Sequence, residues 1–337
     1  MKEVLRKLSE TYGPSGHEYR IREIIKEEIS GFVDEIREDT MGNLIAVKRA
    51  SRGKAEAKVM VAAHMDEIGL IVTHIDDNGF IRFSNIGGVS PFISIGQRVI
   101  FSNGAIGTVY HEPIEDISKL KLENMYIDIG AQDKESAMKI VKIGDAAGFH
   151  RPLEWVGERG IGKSMDNRAG CAVAVETIKK VGRTPNDVYF VFTSQEEVGL
   201  RGARTAAYGI APDVGIAVDV TSTGDTPEAK TMAVKLGGGT AIKVRDASVI
   251  CNPLVRERLI EIAEANGIPY QLEILERGGT DAGSIHLTRE GIPSGVISVP
   301  CRYIHSPSEM IDYYDMVNSI ELLTKALQSP FKMFAGS

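Results

Sequence analysis

The run Lys58-Val-Met-Val-Ala-Ala63-His64-Met-Asp66-Glu67 is apolar over five consecutive residues and then abruptly polar. A strand that is apolar at every position, not at alternate ones, is buried on both faces, as in a parallel sheet covered by helices. Ligands of such sheets bind beyond the carboxyl ends of the strands. The pattern recurs. Val188-Tyr-Phe-Val-Phe-Thr193 runs into Ser194-Gln195-Glu196-Glu197, and Val214-Gly-Ile-Ala-Val218 into Asp219. Val296-Ile-Ser-Val299 leads to a short loop holding His305.

Around these strands, helical periodicity is expected over residues 1–13, 18–29, 166–181, 203–208, 253–266 and 313–327, with a further strand at 43–48. The texture changes after residue 67. From 69 to 110, short apolar runs are separated by Asp77-Asn78-Gly79, Gly87-Gly88 and Ser102-Asn103-Gly104, which are hairpin turn signals. A helix near 134–142 and strand-like sequence to about 160 follow. The economical organisation is one α/β domain, residues 1–67 plus 161–337, interrupted by a β-rich insert, residues 68–160.

Composition narrows the function classes. The 337 residues are 43% hydrophobic and 25% charged, ordinary for a globular chain. With 39 Lys and Arg against 46 Asp and Glu, the net charge is −7. That argues against nucleic acid or an anionic membrane as the main partner. The three cysteines, Cys171, Cys251 and Cys301, are far apart. They form neither a disulfide framework nor a thiolate zinc site, so a reducing compartment is expected. The N-terminus mixes Lys2, Glu3, Arg6 and Lys7 among its apolar residues and lacks the continuous apolar core of a signal peptide. A cytoplasmic protein is the expectation.

Five segments thus deliver imidazoles and carboxylates to one plausible sheet edge: His64 with Asp66, Asp166, Glu196 with Glu197, Asp219 and His305. Each has an alternative explanation on its own. Asp166 suits a helix N-cap, and a Glu-Glu pair is usually a solvated loop. Together, without thiolate, they suit Zn²⁺, Co²⁺ or Mn²⁺. They are too many for one tetrahedral ion and suit a pair about 3.5–4 Å apart, with one carboxylate left over as a base.

Two other chemistries compete. Gly157-Glu-Arg-Gly-Ile-Gly-Lys163-Ser164 matches the P-loop pattern of nucleotide hydrolases, and Asp219 could follow a Walker B strand. Yet the preceding His150-Arg-Pro152-Leu-Glu-Trp-Val156 is a poor central strand, which a P-loop requires. A glycoside hydrolase could use Glu196 and Glu197. Its two carboxylates must face each other across about 5–9.5 Å, which adjacent residues do not readily do.

The ordered motifs Gly13-Pro-Ser-Gly-His-Glu18, Ala63-His64-Met-Asp66-Glu67, Gly162-Lys-Ser-Met-Asp166-Asn-Arg-Ala-Gly170, Gln195-Glu196-Glu197-Val-Gly-Leu-Arg-Gly202, Ala217-Val-Asp219-Val, Gly278-Gly-Thr-Asp281-Ala and Arg302-Tyr-Ile-His305-Ser-Pro resemble the M42 metallo-aminopeptidases. These are the tetrahedral and glutamyl aminopeptidase group, in which some relatives carry an endoglucanase label. The resemblance implies an α/β/α mixed-sheet catalytic domain of the zinc-peptidase type and an inserted small β-barrel, PDZ-like and serving subunit association. It implies two divalent ions, Zn or Co, per subunit. His64 and Asp219 would hold one, Glu197 and His305 the other, and Asp166 would bridge. Glu196 would be the general base and Asp66 the carboxylate orienting His64. Thr280 and Asp281 are candidates for substrate binding. Asn167 departs from the second Asp of many relatives. The implied substrates are peptides with free N-termini, and the implied assembly is dimers building a dodecamer.

Overall fold

The computed structural model describes residues 1–51 and 53–331. Its larger sheet has eleven strands. Four parallel strands form the centre, in the order Asp187–Thr193, Lys58–His64, Val214–Thr221 and Ser294–Arg302. Leu44–Lys48 and Glu35–Glu38 extend one side antiparallel. Glu309–Asp312, Arg159–Gly162 and Glu154–Val156 extend the other. Thr240–Arg245 and Tyr270–Ile274 branch from Ser294–Arg302.

The strand that opens the argument is buried on both faces. Val59, Val61 and Ala63 pack in a cluster with Leu5 and Leu8 of helix Lys2–Glu10, Ile21 and Ile25 of Tyr19–Ile29, and Val173 of Met165–Lys180. Met60 and Ala62 pack oppositely, with Ala203, Ala206 and Ile210 of Arg201–Ile210. Alternate side chains of one strand therefore serve two separate cores. That is why no polar residue interrupts the strand before its end.

The insert is a closed antiparallel barrel of six strands: Gly69–Ile75, Ile81–Ile86, Met125–Asp128, Ile106–His111, Arg98–Phe101 and Ala146–Phe149. Leu70, Val72, Phe83, Val99, Val109 and Ile127 fill its core. The first hairpin turns where the sequence signals it. The Asp76 carboxylate accepts hydrogen bonds from the backbone of Asn78 and Phe80, and Gly79 takes φ +86°, a left-handed value that costs a glycine little.

Several details differ from the sequence expectations. Residues 154–160, expected in the insert, belong to the hairpin of Glu154–Val156 and Arg159–Gly162, which pairs with Glu309–Asp312 of the larger sheet. The helix near 134–142 is only Lys134–Met138. The helix expected from Asp166 contains non-helical torsions at Asp166 and Asn167, so regular helix begins at Arg168. Among the described residues, no helix is long and apolar enough to cross a membrane.

Candidate active site

Thr193 and His64 are register partners at the ends of neighbouring parallel strands. Their following loops therefore leave the sheet together, and Asp66 ties them. Its Oδ1 accepts from the Glu196 N–H at 3.0 Å and its Oδ2 from the Glu197 N–H at 3.1 Å. Ser15 Oγ also donates to Oδ2, at 2.6 Å. His64 Nδ1 lies 3.2 Å from the Asp66 carbonyl oxygen and 3.5 Å from its carboxylate. A proton on Nδ1 satisfies these acceptors and leaves the Nε2 lone pair free to act as a ligand. Fully buried, Asp66 would resist ionising, but His64, Ser15 and the Glu196 N–H hold its carboxyl below the usual range.

His64 Nε2 faces three carboxylates, with Asp166 Oδ1 at 3.0 Å, Asp219 Oδ1 at 3.7 Å and Glu196 Oε2 at 3.8 Å. The second oxygen of Asp166 turns the other way, to His305 Nε2 at 3.3 Å. His305 Nε2 also lies 3.2 Å from Glu197 Oε2. Asp166 thus stands between two imidazoles, one oxygen toward each. The donor atoms of His64, Asp166 and Glu197 fall within 4.8 Å of one another, as do those of His64, Glu196 and Asp219.

Burial should drive His64 neutral, yet Glu196, Asp166 and Asp66 outweigh it and hold the imidazole pKa well above normal. Burial pushes the Glu196 carboxyl well above its usual range, and neighbouring Asp219, Asp281 and Glu197 push the same way. Ionised, the four carboxylates Asp166, Glu196, Glu197 and Asp219 would bring four negative charges together at the floor of one cavity, a repulsion that two divalent ions would balance. Glu197 Oε1 is buried without a hydrogen-bond partner, as a free ligand atom would be. The donor set therefore fits a metal pair.

The loops that present these residues are strained. Ser164, Gln195 and His305 all have φ between 55° and 62°, a region costly for residues other than glycine. Such strain concentrates where function fixes a side chain.

The sequence expectations missed part of the support. Glu309, only 2% exposed, accepts from the His305 N–H through Oε1 at 2.7 Å and from the Asp166 N–H through Oε2 at 3.0 Å. One carboxylate thereby aligns the two segments that carry His305 and Asp166. Its signal was slight, a Glu four residues beyond His305, indistinguishable in sequence from a solvated loop charge. Glu18 similarly accepts from the Gln195 N–H at 3.1 Å. With Ser15 on Asp66, it explains the Gly13–Glu18 motif as a brace for the Glu196 loop. Asn167 is buried and structural, donating to the Val218 carbonyl and accepting from the Gly170 N–H.

Two further features of the sequence take their place in the fold. Thr280 and Asp281 are buried, with Thr280 Oγ1 3.4 Å from Asp246 and Asp281 accepting from Thr193 Oγ1 at 2.5 Å. The open cavity beside the site, about 1000 Å³, is walled instead by Gly278 and Gly279 just before them. The P-loop alternative, already disfavoured by the sequence, gains no support. Gly157 lies in the hairpin turn at φ +60°, and Lys163 is 3% exposed with its ammonium 2.5 Å from Glu67 Oε2. A lysine locked in a buried ion pair has no free charge for a phosphate.

A family model for M42 glutamyl aminopeptidase matches residues 42–322. A protein of Acetivibrio thermocellus, provisionally named an aminopeptidase, is 58% identical over 97% of this chain and 98% of its own. Among solved structures, the aminopeptidase APDkam598 of Desulfurococcus kamchatkensis matches with TM-score 0.93 and 39% identity, covering 97% of this chain and 94% of its own. The TET1 peptidase of Pyrococcus horikoshii, described as assembling into a tetrahedron or a large octahedral shell, matches with TM-score 0.86 and 33% identity, over 97% and 98% of the two chains. Matches of this extent, on a chain whose buried carboxylates and imidazoles meet around Asp166, mean that it belongs to the M42 family of peptidases and is a peptide-bond hydrolase.

Proposed function

We propose that the chain is a dinuclear metal-dependent aminopeptidase that removes the N-terminal residue from peptides. The observation that carries this is Asp166, set between His64 and His305 with one oxygen toward each. His64 and Asp219 would hold one ion, His305 and Glu197 the other, and Asp166 both. Two divalent ions, Zn²⁺ or Co²⁺, would supply Lewis acidity and an acidic water at neutral pH.

The remaining steps belong to the chain. Glu196 lies in the same group as His64 and Asp219, but that pocket already has His64, Asp219 and Asp166 as donors, so Glu196 is free to act as the base. Its raised carboxyl pKa suits a group that takes a proton from the attacking water and returns it to the leaving amine. Asp66 holds Glu196 and Glu197 through their backbone and fixes the His64 tautomer. The cavity, lined by Leu200, Val220, Met232 and Ile304 among others, would receive the N-terminal side chain.

Self-association belongs to the same proposal, with the barrel as a contact element and the tetrahedral relative as its support. Phe92, 51% exposed on the barrel, offers an apolar contact. A dodecamer would scatter light as a particle of about 440 kDa, twelve times 36.6 kDa.

The decisive test compares one peptide with free and acetylated N-termini, before and after chelation and Zn²⁺ or Co²⁺ reconstitution. Loss of cleavage on chelation, its return with metal, and no cleavage of the acetylated peptide are expected. Equal cleavage of both peptides would refute an exopeptidase, and activity in metal-free protein would refute the metal mechanism. Hydrolysis of a β-glucan by pure protein would favour the glycosidase alternative.

A further inference from the structure

The barrel carries none of the residues assigned as ligands, yet it touches two of them. After strand Ile81–Ile86 the chain bends through Gly87 and Gly88. A Cβ added at Gly88 would stand 2.4 Å from His305 Nδ1 and 2.8 Å from its Cε1. One added at Gly87 would stand 3.0 Å from Glu197 Oε2 and 3.1 Å from its Cβ. Successive barrel residues thus pack against the two side chains assigned to the second ion. The bend is braced from the barrel side. The Gly87 carbonyl accepts from Asn85 Nδ2 at 2.7 Å, and Val89 packs against the barrel core.

We propose that Gly88 is a positioning residue of the catalytic centre, by which the barrel insert completes the His305–Glu197 pocket. This rests on the dinuclear reading above. The physical basis is space. The Glu309 bond fixes the His305 backbone but not the imidazole, whose side chain is 35% exposed. On the side opposite Asp166 and Glu197, the ring is confined by the bare Gly88 backbone. Any side chain there overlaps the volume of the imidazole and displaces it from the position it holds against Asp166 and Glu197. Gly88 itself lies outside the left-handed region, so alanine meets no backbone penalty. Gly87 has φ +72° and would confound strain with contact. Gly88→Ala is therefore a steric probe of a single methyl group.

The test titrates metal-free full-length protein with zinc against a chromophoric chelator and records thermal melting of the metal-free form. Wild type is expected to take two zinc ions per chain, and fewer would count against the dinuclear reading itself. Gly88→Ala should retain one site at wild-type affinity and weaken the other at least tenfold, with metal-free melting unchanged. Ile106→Ala, on the barrel and 46% exposed, should bind both ions normally. In a His305→Ala background, Gly88→Ala should cause no further loss, because the two changes act on one contact. Two wild-type zinc sites in Gly88→Ala would overturn the proposal. So would an equal additional loss in the His305→Ala background, or a metal-free protein that melts early, since each means general distortion and not displacement of one ring.

Discussion

Replacing Glu309 with Gln separates the alignment of the site from its chemistry. Both carboxylate oxygens accept a backbone N–H, at 2.7 Å from His305 and 3.0 Å from Asp166. Glutamine keeps the shape but offers one acceptor oxygen, and its NH₂ must face the other N–H. One of the two segments loses its anchor. Leaving a buried N–H without its acceptor costs about 1–3 kcal/mol, and tenfold in affinity corresponds to about 1.4 kcal/mol. The two bonds hold the segments of His305 and Asp166, both proposed as ligands, so the loss should fall on metal affinity, by about 10–100-fold, the usual cost of losing a partner behind a ligand. Global stability should change less, because burial and then Asp166 already push the Glu309 carboxyl well above its usual range, so the neutral amide removes little buried charge. Zinc competition against a chromophoric chelator and thermal melting, run on the same metal-free preparation, measure the two effects. Wild-type zinc affinity together with wild-type kcat in Glu309→Gln would refute the alignment role.

Other substitutions divide the remaining roles. Glu196→Gln should bind both metals and lose about 10²–10⁴-fold in kcat, whereas Glu197→Gln should release metal first; near-normal kcat in the former, with both ions bound, would place the base elsewhere. Lys163→Ala should destabilise the fold by about 1–3 kcal/mol, because Glu67, 2% exposed, loses its short ammonium contact and keeps only Arg168, at 3.8 Å, as a cationic partner; tight binding of ATP to wild type would reopen the nucleotide alternative. The bidentate Arg302–Asp225 pair, 3.1 and 2.7 Å, holds Asp225 between the cavity-lining residues Thr223 and Lys230. Its guanidinium keeps the Asp225 carboxyl well below the usual range. The pair's stabilisation, about 1 kcal/mol for a partly solvated contact, is therefore present above the ordinary carboxyl pKa near 4 and fades as pH falls below it. Asp225→Asn should lower the melting temperature at pH 7 and narrow the gap to wild type toward pH 3; an undiminished gap at pH 3 would refute the assignment.

Much of the α/β frame was legible because burial on two faces writes itself locally. Residues 59–63 are apolar without a break, and the chain turns polar where the strand leaves the sheet. Hydrophobic continuity is a property of neighbours in sequence, as are the Asp-Asn-Gly turn of the barrel and the helical spacing of Ile21 and Ile25. The strands Tyr270–Ile274 and Glu309–Asp312 escaped notice because they are short and lie away from the doubly buried parallel centre, so a continuous apolar run is not required of them.

The residues of the site were nameable from sequence, since strand ends in a parallel sheet converge on one edge and the motifs there are rich in imidazole and carboxylate. Tertiary structure alone determined how they face one another. That Asp166 divides its oxygens between His64 and His305 depends on a strained loop at Ser164 and on Glu309, 143 residues from Asp166. Whether Lys163 is a phosphate ligand or a buried counterion depends on Glu67, 96 residues away. That Thr280 and Asp281 turn into the protein while Gly278 and Gly279 face the cavity depends on partners at Asp246 and Thr193. The same physics governs all three cases. A polar side chain removed from water takes its role from the group that satisfies it, and that group comes from wherever the fold brings the chain back.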